Sequence, residues 1–189
     1  MIRFDHTGWT VGDVLAQLEA VRGEVGEDSW FVMGHSWGAA LAALYAQSHS
    51  ERVRGLVLTH PLEISSAFCD FSGDAFCGGD DLFTQDHDAD VAEMLWEDLE
   101  ACCPDAAGEG YDLAPVARQI MTPSLVLLGE QDAIDTRSGQ LWAELTNAQL
   151  VSLPGAGHWS FLEQPVEFQR AVTDFLISHA ARRAMVAVG

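Results

Sequence analysis

Near its start the chain places apolar residues at helical spacing and then continues into a short, wholly apolar run. Residues 10–25 present an apolar face, which predicts an amphipathic helix. Thr10, followed by Asp13 three residues later, is typical of a capped helix N-terminus. The run at residues 30–33 predicts a buried strand. The apolar positions of the helix are Val11, Val14, Leu15, Leu18, Val21 and Val25.

A second helix and a second strand follow directly. Small residues extend from Ala39 to about His49, and an apolar run occupies residues 53–58. A strand, a helix and a strand in succession predict parallel pairing of the two strands. The first part of the chain is therefore of the α/β type.

The same alternation returns in the last third of the chain. Residues 124–128 and 149–153 predict strands, and residues 136–147 and 165–180 predict helices. We therefore predict an α/β protein with a mostly parallel sheet of about four to five strands flanked by helices.

An acidic block, residues 61–117, separates these two parts. It holds fifteen carboxylates and no arginine. Residues 65–81 predict a loop, and residues 90–102 have helical periodicity that ends before Pro104. We expect its four cysteines to be reduced, and the alternatives are a disulfide from Cys69 or Cys77 to the Cys102–Cys103 pair, or a zinc site. The cysteines are Cys69, Cys77, Cys102 and Cys103.

Composition narrows the class of protein. The 189 residues, 48% of them apolar, suit one globular domain with a sizeable core. The chain has 29 acidic residues against nine basic ones, all arginine, and a net charge of −20 disfavours nucleic acid and anionic membranes as partners. No apolar stretch is long enough to span a membrane and the first residues do not resemble a signal peptide, so we expect a cytoplasmic protein.

Five residues, Gly34-His35-Ser36-Trp37-Gly38, join the first strand to the second helix. A strand, the pattern G-x-S-x-G and a helix are together typical of a nucleophile elbow. We expect the tight turn to strain the serine backbone and to require glycine on both sides. The turn would lift the serine hydroxyl above the sheet, next to the positive end of the helix. Ser36 is thus a candidate nucleophile, and an incidental serine in a strand-to-helix turn is the alternative.

A serine nucleophile needs a base and a group that orients the base. His158 follows a strand on a glycine-containing loop, and Asp132 leaves the preceding strand at its carboxyl end. Asp135 is the rival acid, which we interpret as a first-turn carboxylate of the next helix. A surface loop histidine and a turn-forming aspartate are the alternatives, and we expect His35 to pack under the elbow. The remaining histidines receive no role: His6, His49, His60, His87 and His179.

These segments resemble the α/β-hydrolase superfamily. The order Ser36, Asp132, His158 along the chain is the order of its catalytic residues. Trp37, directly after the serine, and residues 45–53 are similar to the proline iminopeptidase branch of that superfamily. The resemblance implies a Ser-His-Asp triad in which Ser36 attacks, His158 is the base and Asp132 orients it.

The resemblance also implies an incomplete α/β-hydrolase fold with an inserted helical cap. Residues 61–117 hold the place of the cap, between core segments 1–60 and 118–189. The pair Trp96-Glu97 resembles the end of a cap-helix motif whose glutamate binds the free amino group of the substrate, so both residues are candidate substrate contacts. Trp96 in the cap core and Glu97 on the surface is the alternative. A small acidic cap would suit a cationic amino terminus.

The family's oxyanion hole needs two N–H donors. The backbone N–H of Trp37 would supply one donor. In the family the other donor comes from a loop. That loop and about three further strands precede a segment that resembles residues 1–8 of this chain. The sequence contains neither the loop nor those strands. We therefore expect either an N-terminally shortened serine hydrolase or a reduced homologue, with an open sheet edge. Loss of one donor costs on the order of 10²–10³ in rate.

The expected function is cleavage of an acyl bond by a serine hydrolase that needs no cofactor and no metal. The resemblance favours an aminopeptidase of the proline iminopeptidase type, with a related esterase next, and a small molecule or short peptide as substrate. The alternative is a non-catalytic or weakly active α/β-hydrolase-like binding protein. The exact substrate and the oligomeric state stay open.

Overall fold

A computed structural model describes residues 10–61, 64, 112–132 and 136–186 of the protein. The helices are α1 (Val11–Val25), α2 (Trp37–Ser48), α3 (Ala114–Ala117), α4 (Thr136–Leu145), α5 (Ser160–Glu163) and α6 (Pro165–Val186), with a 3₁₀ turn at Ser50–Arg52. The strands are β1 (Trp30–His35), β2 (Val53–Thr59), β3 (Ser124–Gly129) and β4 (Gln149–Leu153).

The four strands form one sheet in the order β1-β2-β3-β4, and each pairs in parallel with its neighbour. The register aligns their carboxyl ends, since His35 pairs with Thr59 and Gly129 with Leu153. Residues that follow the strands therefore meet at one edge of the sheet, where open α/β sheets hold their sites. The parallel α/β sheet predicted from the apolar runs is confirmed.

Helices cover both faces of this sheet. On one face α2 and α4 pack against β2 and β3, around Tyr45 and Trp142. On the other face α6 covers the sheet through Phe175 and its partly buried apolar neighbours. Because β2 and β3 are buried on both sides, their sequences are continuous apolar runs rather than alternating ones.

Helix α2 lies against the sheet through small side chains. Its buried positions are alanines apart from Tyr45, whose hydroxyl donates to Glu19 of α1 at 2.7 Å. Methyl groups let the helix approach the strands closely, which brings the turn before α2 down onto the end of β1. The buried alanines are Ala39, Ala40, Ala42, Ala43 and Ala46.

Helix α1 begins as the sequence predicts. The Oγ1 of Thr10 accepts from the N–H of Asp13 at 3.3 Å, and Asp13 accepts from the N–H of Thr10 at 2.8 Å, which is a complete capping box. The apolar face is less buried than its pattern suggests, because Val21 and Val25 are 48% and 65% exposed. Apolar periodicity identified the helix but overstated its burial.

Two short helices were not predicted. α3 and α5 have four residues each, too few to show a period of 3.6 residues. α6 continues to Val186, six residues beyond the predicted end at residue 180. Among the described helices, none combines the length and the apolar character that a membrane span requires.

Most of the acidic block lies outside the described residues. The predicted loop, the cap helix, the four cysteines, Trp96 and Glu97 all fall between residues 65 and 111. The division into core segments 1–60 and 118–189 around a cap at 61–117 therefore stays a prediction.

Candidate active site

The turn between β1 and α2 holds Ser36 in a strained conformation. Its backbone has φ 54° and ψ −124°, outside the regions that L-residues prefer. A Cβ at Gly34 would lie 2.0 Å from the carbonyl oxygen of Gly38, so that position must be glycine. Gly34 is the one of the two flanking glycines that a described contact requires, because among the described residues a Cβ at Gly38 would meet no atom within 4 Å outside its own helix.

The first helical residue after the turn is Trp37. The N–H groups in the first turn of a helix have no acceptor within the helix, so the N–H of Trp37 makes no hydrogen bond within α2. The N–H of Ser36 donates to the carbonyl of Thr59 at 3.0 Å, which ties the turn to the end of β2. The turn thus presents a serine and a helix N-terminus together at the sheet edge.

Asp132 follows the end of β3, and backbone contacts join its turn to the loop after β4. The N–H of Gln131 donates to the carbonyl of Ala156 at 2.8 Å. A Cβ at Gly129 would lie 2.3 Å from the carbonyl oxygens of both Ala156 and Gly157. Glycine at the end of β3 therefore lets the loop that carries His158 approach the turn that carries Asp132.

His158 and Asp132 are hydrogen bonded. The Nδ1 atom of His158 lies 3.1 Å from Oδ1 and 3.2 Å from Oδ2 of Asp132. Since an ionised carboxylate only accepts, Nδ1 carries the proton and Nε2 is the basic nitrogen of the neutral ring. The Asp132 side chain is 3% exposed and that of His158 is 20% exposed, so the ring reaches solvent and the carboxylate does not.

Glu163 of α5 holds the His158 loop from the other side. Its carboxylate accepts from the N–H of Gly157, and also from the N–H of Trp159 at 3.1 Å. The two residues that flank His158 are therefore both fixed by the same side chain. This contact restrains the loop independently of Asp132.

The same carboxylate has a second imidazole partner, His60, which sequence reasoning missed. The Nδ1 atom of His60 lies 2.7 Å from Oδ2 of Asp132, and its Nε2 lies 2.6 Å from the Oγ of Ser160. The side chain of His60 is fully buried, and so is Ser160. One signal in the sequence could have identified His60: it directly follows β2, as Asp132 nearly follows β3.

His35, the residue before Ser36, packs between these groups. Its ring centroid is 4.7 Å from that of His158 and 5.6 Å from that of His60, and Trp159 and Phe161 also contact it. Burial, together with the charges that His158 and His60 would carry, lowers the pKa of His35 to about 3. His35 is therefore neutral near pH 7 and packs among the rings of His60, His158 and Trp159.

Among the described residues, one group has the composition of a metal site. The nearest ligand atoms of His60, Asp132 and His158 all lie within 4.8 Å of one another. Two imidazoles and a carboxylate suit a divalent transition metal. The hydrogen bonds from His60 and His158 to Asp132 explain equally well why the three side chains lie close together.

The structure brings together two of the predicted triad residues by direct contact and sets the third at the same edge. Asp132 and His158 are bonded, and the ring of His35, the residue before Ser36, lies 4.7 Å from that of His158. The rival acid Asp135 and the predicted substrate contacts Trp96 and Glu97 lie outside the described residues.

Residues 3–171 match the alpha/beta hydrolase family, and the chain belongs to that family. A 54-residue segment is 50% identical to the proline iminopeptidase of Neisseria gonorrhoeae, over 29% of this chain and 16% of that protein. Over 167 residues the chain is 27% identical to a probable proline iminopeptidase of Streptomyces coelicolor, covering 88% of this chain and 46% of that protein.

Solved structures show the same fold. The proline iminopeptidase of Mycobacterium smegmatis matches with a TM-score of 0.75 at 18% identity, over 95% of this chain and 75% of that one. An enol-lactonase from Burkholderia xenovorans LB400 matches with a TM-score of 0.68 at 21% identity, over 89% of this chain and 74% of that one. The chain spans less than half the length of the two curated relatives named above.

Proposed function

We propose that the protein is a serine hydrolase of acyl bonds. Ser36 attacks the substrate carbonyl while Nε2 of His158 takes its proton, and Asp132 holds the imidazole and stabilises its positive charge. The N–H of Trp37 donates to the oxyanion. The protonated His158 then gives its proton to the leaving group, and water releases the acyl group from Ser36.

The observation that carries this proposal is the hydrogen bond between Asp132 and His158 at the edge of the sheet where the strained turn presents Ser36. The bond selects the tautomer of His158 whose Nε2 is a base. The His158 side chain is 20% exposed, whereas Asp132 is shielded from water, and this contrast suits a base that meets the substrate and an acid that does not.

Within this class we propose an aminopeptidase of the proline iminopeptidase type, and a related esterase as the second candidate. The sequence similarity to proteins named proline iminopeptidase supports the first activity. The net charge of −20 favours a substrate with a cationic amino terminus. In this proposal Trp96 and Glu97 contact that terminus.

Labelling with a fluorophosphonate, followed by intact mass measurement, tests the mechanism. We expect one covalent adduct on the wild-type protein and none on the Ser36→Ala variant. Ser48→Ala, which removes an exposed serine from the far end of the same helix, is the matched control and should label normally. A well-folded wild-type protein that does not label would favour the non-catalytic alternative.

Substrate preference is tested by comparing a proline arylamide, its N-acetylated form and a p-nitrophenyl ester. An aminopeptidase would cleave the free arylamide and lose that activity when the amine is acetylated. In that case Glu97→Gln should raise KM for the arylamide and leave ester turnover unchanged. Faster turnover of the ester, with no effect of Glu97→Gln, would identify the esterase instead.

A further inference from the structure

His60 lies where the fold gives it a defined chemical partner on each ring nitrogen. Nδ1 faces Asp132 at 2.7 Å and Nε2 faces Ser160 at 2.6 Å. Because the carboxylate of Asp132 only accepts, Nδ1 of His60 donates to it. In the neutral ring Nε2 is then an acceptor, and the hydroxyl of Ser160 donates to it.

The resulting chain, Ser160 to His60 to Asp132, has the same chemical order as a nucleophile, a base and an acid. Burial excludes that role, since Ser160 and His60 are both buried and no substrate carbonyl reaches the hydroxyl. The contacts of His60 instead act on Asp132. Oδ2 of Asp132 is closer to His60, at 2.7 Å, than to His158, at 3.2 Å.

A carboxylate that is 3% exposed needs hydrogen-bond donors to stay ionised and fixed in place. We propose that His60 is a positioning residue for the catalytic acid, a role that rests on the proposed function. It anchors Oδ2 of Asp132 from the buried side, so that the carboxylate keeps one orientation toward Nδ1 of His158. Ser160 fixes the tautomer of His60 that can donate.

The backbone of His60 supports a sharp test. Its φ of 46° lies in the left-handed region, which asparagine tolerates better than most residues. An asparagine also carries an N–H donor at the position of Nδ1, but no group that reaches Ser160. His60→Asn therefore keeps the bond to Asp132, whereas His60→Phe fills the space of the ring and removes it.

The first readout needs no catalysis. Imidazole N–H protons bonded to a carboxylate resonate far downfield of the amides, and we expect two such signals from the wild-type protein after dialysis against a chelator. His60→Phe should lose one signal and shift the other, which belongs to His158. His158→Ala should lose only its own signal, and two unshifted signals in His60→Phe would overturn the inference.

The second readout is the rate constant of fluorophosphonate labelling at Ser36. We expect His60→Phe to lower it by about 10- to 100-fold, the range found when the outer partner of an active-site ligand is removed. His60→Asn should keep a rate close to that of the wild type, because it retains the donor to Oδ2 of Asp132. His179→Asn, in a pocket with Pro123 and Ser124 at the other end of β3, is the control and should label like the wild type.

The two proposals fail differently. A wild-type protein that shows both downfield signals but does not label would contradict the serine mechanism and leave the His60–Asp132 bond established. A wild-type protein that labels, with equal rates in folded His60→Phe and His60→Asn, would overturn the positioning role of His60. If His60→Phe does not fold, a labelling rate for His60→Asn reduced as far as that of Asp132→Asn would overturn it equally.

Discussion

Two imidazoles share one carboxylate in this protein, and they differ most in their exposure to solvent. His158 lies on a loop with 20% of its side chain exposed, and His60 lies under the sheet edge with none exposed. Both donate from Nδ1 to Asp132, and His60 even has a serine within 2.6 Å of its other nitrogen. The comparison shows that a Ser-His-Asp hydrogen-bond order does not identify a nucleophile. Access of the serine to substrate does.

The largest effect is expected from Asp132→Asn, because that change acts on both imidazoles. An amide in place of the carboxylate presents a donor to at least one Nδ1 and favours the wrong tautomer. We expect the rate of labelling at Ser36 to fall by about 10⁴-fold, as for the equivalent change in a serine protease.

Asp112→Asn is the control for this change, because Asp112 is an exposed carboxylate that accepts from the N–H of Ala114, away from the site. Its labelling rate should equal that of the wild type. A loss of less than tenfold in Asp132→Asn would mean that Asp132 is not the acid, and would turn attention to Asp135.

Gly129→Ala separates the two imidazoles. The new Cβ would lie 2.3 Å from the carbonyl oxygens of Ala156 and Gly157, so we expect it to displace the His158 loop more than His60, which follows β2. We expect about a 10²-fold slower labelling rate, the typical result of a 1 Å displacement of a reacting group.

Proton NMR checks the selectivity of Gly129→Ala. The downfield signal of His158 should be lost or shifted, and that of His60 should persist. Gly23→Ala on α1 is the matched control, since a Cβ there meets no atom of the part of the chain that the structure describes within 4 Å outside its own helix. Loss of both signals together would show that the His158 and His60 hydrogen bonds to Asp132 cannot be changed separately.

Ser160→Ala tests the buried hydrogen bond between Ser160 and His60 alone. It leaves Nε2 of His60 without the hydroxyl that lies at 2.6 Å, inside a region closed to water. We expect the free energy of unfolding to fall by about 1–3 kcal/mol, measured by urea denaturation. Ser178→Ala, which removes an exposed hydroxyl bonded to the carbonyl of Phe175, should change it by less than about 0.5 kcal/mol.

The smallest effect concerns His35, which contacts both imidazoles. Its pKa is lowered to about 3 in the folded protein, against about 6.5 in an unfolded chain. As the pH falls below about 6.5, His35 binds a proton in the unfolded chain but not in the folded protein. The free energy of unfolding therefore falls by up to about 1.4 kcal/mol per pH unit.

His35→Phe removes that titration and keeps an aromatic ring in the cluster. Urea unfolding at pH 7 and pH 5 should therefore show a smaller acid-induced loss in the variant than in the wild type. Equal losses in the two proteins would mean that His35 is protonated in the folded state as easily as in the unfolded chain.

Local sequence patterns predicted the fold because the residues of each helix or strand reflect how that element is buried. The strands β2 and β3 are apolar runs since both of their faces are covered, and Thr10 with Asp13 marks the start of α1 within four residues. Patterns of this kind do not predict which other elements will cover an apolar face. Val21 and Val25 belong to the apolar face of α1, yet they are largely exposed.

The site divides in the same way. Ser36 was predicted as a site residue from a five-residue motif, and Asp132 and His158 from their places after two strands. His60 has the same local signal, since it directly follows β2, but its partners Asp132 and Ser160 lie 72 and 100 residues further along the chain. Only the register of the parallel strands brings these residues together, and no short window of sequence contains that information.

The alanine-lined face of α2 has a consequence for how the protein would change under selection. Five of its buried side chains are methyl groups, and a methyl group has no alternative rotamer with which to adjust to a larger neighbour. The depth at which the helix sits therefore determines the height of Ser36 above the strands. Directed evolution of substrate preference should accumulate substitutions in the loops around the site and almost none along this helix face.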